Sequence, residues 1–136
     1  MARIRRAHTK PEMRVRRLLH GMGYRFRIQW KAASGRPDVA FPGRRVLIFV
    51  HGCFWHQHPG CRHARLPKTR REFWREKFER NRERDARVLE RGTADGWRSL
   101  VIWECETEDV EALQERLRGF LGPTVRTTDP HAVRFR

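Results

Sequence analysis

Five apolar residues in an unbroken row, Val46-Leu47-Ile48-Phe49-Val50, set the tightest limit on how this chain folds. Side chains on a strand alternate between two faces, so a run with no polar break must be covered on both. Ser99-Leu100-Val101-Ile102-Trp103 reads the same way. Such strands need helices above and below the sheet, and the sequence supplies them. Thr9-Lys10-Pro11-Glu12 combines an N-cap, a first-turn proline and a capping-box glutamate. Val15, Leu18, Leu19 and Met22 follow at helical spacing until Gly23. Thr69-Arg70-Arg71-Glu72 repeats the capping-box pattern and opens a long helix to about Arg91. A last helix spans about Glu108 to Phe120. Tyr24-Arg25-Phe26-Arg27-Ile28 alternates apolar and basic residues, which predicts a half-buried strand. Asp38-Val39-Ala40-Phe41 is a short strand ended by the turn Pro42-Gly43. The predicted order is αβββαβα, an α/β fold with a mixed central sheet flanked by helices.

The 136 residues suit one domain. Its expected extent is 1–122, with 1–8 a short basic arm and 123–136 a loosely ordered tail. No apolar run approaches the ~20 residues of a membrane helix. Residues 1–20 lack the apolar stretch of a signal peptide. Three cysteines do not close a disulfide framework, so the expected compartment is reducing and cytoplasmic.

Charge narrows the partner. The formal net charge is +15, and most of the 31 basic residues are arginine. A field this positive favours a polyanion, and the planar arginine fork grips phosphate with two parallel hydrogen bonds. Nucleic acid is the expected partner. A membrane surface fits less well, because no segment is both basic and cleanly amphipathic.

The densest chemistry is Cys53-x4-His58-x2-Cys61. Three soft ligands within nine residues suit tetrahedral zinc. Cys105, just past the second buried strand, is the candidate fourth, and His56 and His63 are alternatives to His58. A closed four-ligand site is structural. His51 and His56 are then left for acid–base work or phosphate binding. Asp38 and Glu12 are the only acidic residues among the first 71. Asp38 suits a hard divalent cation that activates water on a phosphodiester. A hairpin would bring Val50 and His51 near it, and the Val50 backbone carbonyl is a further candidate ligand. Trp74, Phe78, Asn81, Asp85 and Val88 share one helical stripe, so Asn81 and Asp85 are polar groups that need partners. Phe54-Trp55 inside the cysteine knot are either core plugs or wedges for a base stack.

Several of these blocks resemble a known family. They are Gly35-Arg36-Pro37-Asp38, Phe49-Val50-His51-Gly52-Cys53-Phe54-Trp55-His56, Lys68-Thr69-Arg70 with Glu72-Phe73-Trp74, Asn81 with Arg84-Asp85, Gly96-Trp97-Arg98 and Val101-Ile102-Trp103-Glu104-Cys105. Together they look like the very short patch repair endonucleases, over about Arg3 to Phe120. The resemblance implies a restriction-endonuclease-like fold with one structural Zn²⁺. It implies a Mg²⁺-dependent nick 5′ of the thymine in T·G mismatches left by 5-methylcytosine deamination. The DNA partner is then double-stranded and mismatched, and the functional neighbours are a cytosine-5 methyltransferase and mismatch-repair proteins. Carried over by position, Asp38 and the Val50 carbonyl would bind Mg²⁺, with two such ions able to serve the phosphate. His56 would be the general acid or base, supported by His51. Asp85, Asn81 and Glu12 would orient histidine or water. Phe54, Trp55 and Trp74 would be the intercalating wedge. Cys53, His58, Cys61 and Cys105 would hold zinc, and Arg3, Arg5, Arg6, Arg36, Lys68 and Arg70 would meet the DNA backbone.

Three departures stand out. Phe49-Val50-His51 lacks the acidic residue and lysine usual on that strand in the wider nuclease superfamily, which puts more weight on Asp38. Pro59-Gly60 lengthens the knot, and the N-terminal arm is short. A monomer is the expected state. The competing reading is a non-catalytic, zinc-stabilised DNA-binding module, or a nickase with another mismatch or context.

Overall fold

A computed structural model describes residues 9–31 and 35–124. Helix α1 spans Lys10–Gly21 and is closed at its start by both halves of the Thr9/Glu12 capping box. Strands β1 (Val39–Phe41) and β2 (Val46–His51) pair antiparallel across the Pro42–Arg45 turn. Helix α2 (Arg71–Ala94) then crosses over to β3 (Arg98–Trp103), which pairs parallel to β2. Helix α3 (Val110–Leu121) follows, N-capped by the Asp109 carboxylate. The sheet order among the described residues is β1-β2-β3, so β2 is central.

Strand parity builds three layers. Val39, Phe41, Val46, Ile48, Leu100 and Ile102 face one way and bury Val15 and Leu19 of α1 with Leu113, Leu117 and Leu121 of α3. Ala40, Leu47 and Phe49 face the other way, against Val88 and Leu89 of α2. The same parity puts His51 and Trp103, which are register partners, on the α2 side at the C-terminal ends of the parallel strands. In α/β sheets that end is where sites form. Because β1 is antiparallel, its beginning lies at this end too. Asp38, just before β1, donates its backbone N–H to the Ile48 carbonyl, and its side chain reaches the Val50 N–H.

Three expectations change. Tyr24–Ile28 is not a strand. Arg27 and Ala40 exchange one pair of backbone hydrogen bonds, and among the described residues this segment has no further ladder. Tyr24 and Phe26 do pack edge-on against Phe41. Beyond them the alternation fails, with Ile28 43% exposed and Gln29 at a positive φ of 54° turning the chain away. The order is therefore αββαβα. The second capping box does not form either. Arg70 is the N-cap of α2, in a left-handed conformation with no side-chain cap, and its guanidinium stacks over Phe73. Finally, α2 runs past Arg91 to Ala94, and Gly96 at φ +86° turns the chain into β3.

The end of α3 is fastened to the first half of the chain. Tyr24 Oη donates to the Gly122 carbonyl, and Arg44 donates to the Leu121, Pro123 and Thr124 carbonyls. Arg3, Arg5, Arg6 and the tail from 125 onward lie outside the described residues. Among the described residues no helix is long and apolar enough to cross a membrane.

Candidate active site and metal centre

The site lies where β1 begins and β2 and β3 end. There an open cleft of about 730 Å³ is lined by Glu12, Asp38, His51, His56 and Asp85, with Arg36, Arg84 and Glu104 among its other walls. Four elements therefore contribute to one concavity.

Asp38 is its most perturbed group. Oδ2 accepts the Val50 N–H at 2.6 Å. Burial, with the Glu12 carboxyl beside it, pushes the Asp38 carboxyl up to about 8, against the lowering effect of the Val50 N–H. Glu12 also caps α1, where Oε2 accepts the Thr9 N–H at 3.1 Å, and it sits 4.0 Å from Arg16. Arg16 in turn donates to the Asp38 carbonyl. Two adjacent carboxyls held in place but short of compensating charge form a pair that a hard cation relieves.

Opposite them stands a histidine pair. The His51 and His56 rings are stacked, centroids 3.9 Å apart and 7° from parallel. His56 Nδ1 is 2.7 Å from Asp85 Oδ2. A carboxylate only accepts, so Nδ1 carries the proton and Nε2 is left for the cleft. Burial and the neighbouring His56 push His51 down to about 4, so it is neutral at pH 7. His51, His56 and Asp85 are close enough to suggest a metal site. Parallel rings rule against one, because their in-plane lone pairs do not converge on a common ion. The arrangement suits proton transfer.

Behind the histidines is a candidate metal centre. One ligand atom each from Cys53, His58, Cys61 and Cys105 lies within 4.8 Å of all the others. His58 Nδ1 is 3.7 Å from Cys53 Sγ and 3.5 Å from Cys105 Sγ. A tetrahedral zinc with ordinary bond lengths has S···N edges of about 3.6 Å. Burial pushes the Cys53 thiol up to about 12 and the Cys105 thiol upward, which a bound dication would reverse. The donor set fits Zn²⁺. His56 is held by Asp85 instead, and His63 belongs to a short 3-10 turn, Arg62–Ala64.

Trp103 joins the two sites. The His58 ring stacks on it at 4.2 Å, and His51 meets it edge-on at 5.3 Å. Nothing in the spacing of the sequence singles out this contact. It follows from the His51–Trp103 register.

The loop after β2 also builds an aromatic platform. Phe54 packs on Trp55, Trp74 and Phe78, with centroid distances of 5.0, 5.9 and 5.1 Å. Phe78 is buried at the base, whereas Phe54, Trp55 and Trp74 are only partly covered. Asn81 Nδ2 donates to the carbonyl of Trp55, the residue before His56, and so fastens this loop to α2. Lys68 and Arg70 are exposed at the platform's edge, and Arg36 at the cleft.

Known proteins are similar to this chain over most of its length. The profile of the DNA mismatch endonuclease Vsr family matches residues 1–62. A type II nicking enzyme, V.XorIIP of Xanthomonas oryzae pv. oryzae, is 51% identical over 91% of this chain and 90% of its own length. The chain belongs to the Vsr family. The DNA mismatch endonuclease Vsr of Escherichia coli is 44% identical over 89% of this chain and 80% of its own. The type II nicking enzyme V.NmeAIP of Neisseria meningitidis is 37% identical over 86% and 83%. Membership in the Vsr family makes this chain one of a group of DNA endonucleases.

Proposed function

We propose that this Vsr-family chain nicks double-stranded DNA 5′ of the thymine in T·G mismatches, with Mg²⁺ as catalytic cation. The observation that carries the reading is one cleft holding a strained Asp38–Glu12 pair opposite an Asp85-oriented His56, beside a half-covered aromatic platform. A non-catalytic DNA-binding module has no use for that conjunction. We infer further that the three-stranded core is of the restriction-endonuclease type.

Asp38 and the Val50 carbonyl would hold Mg²⁺, with Glu12 oriented toward the water around it. When bound, such an ion supplies positive charge to the phosphate and makes water a better nucleophile near neutral pH. His56 moves the proton at Nε2, and Asp85 keeps its tautomer and orientation fixed. Neutral His51 supports the His56 ring from one face. Phe54, Trp55 and Trp74 enter the stack at the mismatch. Unstacking costs a few kcal/mol per step and least at a mispair, which gives selectivity without base-edge contacts. Zn²⁺ on Cys53, His58, Cys61 and Cys105 keeps the loop that carries both wedge and histidine in place. Arg36, Lys68 and Arg70, with Arg3, Arg5 and Arg6, supply backbone contacts. The protein acts as a monomer and repairs the deamination products of a cytosine-5 methyltransferase.

The test uses two end-labelled duplexes that differ only in one T·G or T·A pair, incubated with the zinc-loaded protein and Mg²⁺. A nick 5′ of the mismatched thymine is expected, absent with T·A and absent for Asp38→Ala. Binding without a nick in every methylation-site context would leave the DNA-binding module standing.

A further inference from the structure

We propose that Arg84 is a phosphate-binding residue of the nicking cleft, gripping the phosphodiester as it is cut. The inference rests on the nicking reading above. The groups given a part in the chemistry so far are carboxyls and imidazoles: Glu12, Asp38, His51, His56 and Asp85. A phosphodiester brings a negative charge into these surroundings and gains another on its free oxygens during attack by water. Cationic protein groups lining the cleft are Arg36 and Arg84.

Helix α2 explains why Arg84 is available. Charged residues on a helix find partners three or four positions away. Arg75 pairs with Glu72, Arg82 with Glu79 and Arg91 with Asp95. Arg80 and Arg87 have glutamates at the same spacings, Glu76 and Glu83 for the first, Glu83 and Glu90 for the second. Around Arg84 those positions hold Arg80, Asn81, Arg87 and Val88, with no acid among them. Its direct neighbour Asp85 is engaged by His56. Arg84 makes no ion pair among the described residues. Of the cations from Arg75 to Arg91 only Lys77 shares this lack of an acid at helical spacing, and Lys77 is not part of the cleft wall.

The remaining geometry agrees. Arg84 precedes the residue that fixes the His56 tautomer. One turn further along α2, Val88 contacts Gly35, whose neighbour Arg36 stands on the Asp38 side of the cleft. The two arginines thus flank the cleft from α2 and from the segment before β1. Arg84 is exposed, so its head group is open to a ligand in the cleft.

The experiment compares wild type, Arg84→Ala, Arg84→Lys and Arg87→Ala on the T·G duplex at saturating Mg²⁺, with kcat and KM measured separately and DNA affinity followed against salt. Removing a group that holds the charge of a transition state costs kcat about 10²–10³-fold. Arg84→Ala is expected to lose kcat on that scale while KM moves less than about tenfold. Arg84→Lys should recover part of kcat, because the charge returns without the two-pronged grip. Arg87→Ala, one turn away and supplied with its own acids, should nick like wild type. Unchanged kcat in Arg84→Ala overturns the proposal. So does a loss confined to KM with a salt slope reduced by about one, the mark of an ordinary backbone contact. Wild type that nicks neither duplex brings down the nicking reading and this proposal with it, whereas normal nicking by Arg84→Ala brings down the proposal alone.

Discussion

Asp38 sits in conflict with its surroundings. Burial and Glu12 hold its carboxyl up to about 8, yet the metal-ligand role proposed for it needs the ionised form. The folded metal-free protein therefore keeps a proton that the unfolded chain gives up near the ordinary carboxylate range. Between that range and about 8 the folded state binds more protons, so this pair makes stability fall as pH rises. Asp38→Asn removes the effect. Without metal, its Tm should exceed that of wild type at pH 8, and the gap should close toward pH 4. Adding Mg²⁺ at pH 8 should raise the wild-type Tm and leave the variant's alone, and the variant should not nick. Calorimetric scans over this pH range check both signs. In the proposed mechanism Asp85 acts through His56 rather than on the substrate. Asp85→Asn leaves the ring free to adopt the other tautomer and should lower kcat by about 10²–10⁴. Joined to His56→Ala it should add little, because the two act as one unit. Single-turnover rates of the single and double variants test this.

At the scale of elements, close packing positions the chemistry. Gly35 has φ +134°, and a Cβ there would lie 3.2 Å from Val88 Cγ1 on α2. Only glycine accepts both conditions without strain. Gly35→Ala should destabilise by about 1–3 kcal/mol and reduce nicking, because it pushes the segment before Asp38 away from α2. Urea titration with parallel nicking assays checks the pair of effects. The elements also show what a sequence reveals. Val46–Val50 and Ser99–Trp103 were legible because a strand covered twice has no polar alternative. The Thr9/Glu12 box was legible because its two hydrogen bonds are local. Tyr24–Ile28 misled, because alternation describes burial and does not create a ladder, and Gln29 turns the chain before one forms. Thr69–Glu72 misled because Arg70 takes the left-handed cap position itself. Within the site, Asp38 beside Val50 followed from a tight hairpin. The His56–Asp85 bond spans 29 positions and was visible only as an unpaired polar stripe. Trp103 between the two histidines depends on parallel register, which no local pattern encodes.

For the molecule as a whole, two long-range features dominate. A net charge of +15 predicts binding governed by counterion release. Raising salt from about 50 to 200 mM should weaken duplex affinity by at least about 10³-fold, T·G and T·A alike, if six or more phosphates are met. Fluorescence anisotropy titrations measure the slope. The Cys53, His58, Cys61 and Cys105 cluster brings the loop after β2 against Cys105 after β3. Chelation should release one zinc per chain and lower Tm by more than about 10 °C, and Cys105→Ser should do the same without a chelator. Zinc analysis beside a melting curve tests this, and full stability after metal loss would refute a structural role.

The place of Cys105 has a consequence for how the protein is made. Asp38, His51, His56 and Asp85 all leave the ribosome before the last strand does. The centre that would pin the His56 loop lacks its fourth member until Cys105 emerges. A growing chain thus owns every group proposed to react well before it owns a working blade. Under the proposed mechanism, order of synthesis becomes a safety catch: a product that stops short of residue 105 carries these side chains without the complete cluster that would position them.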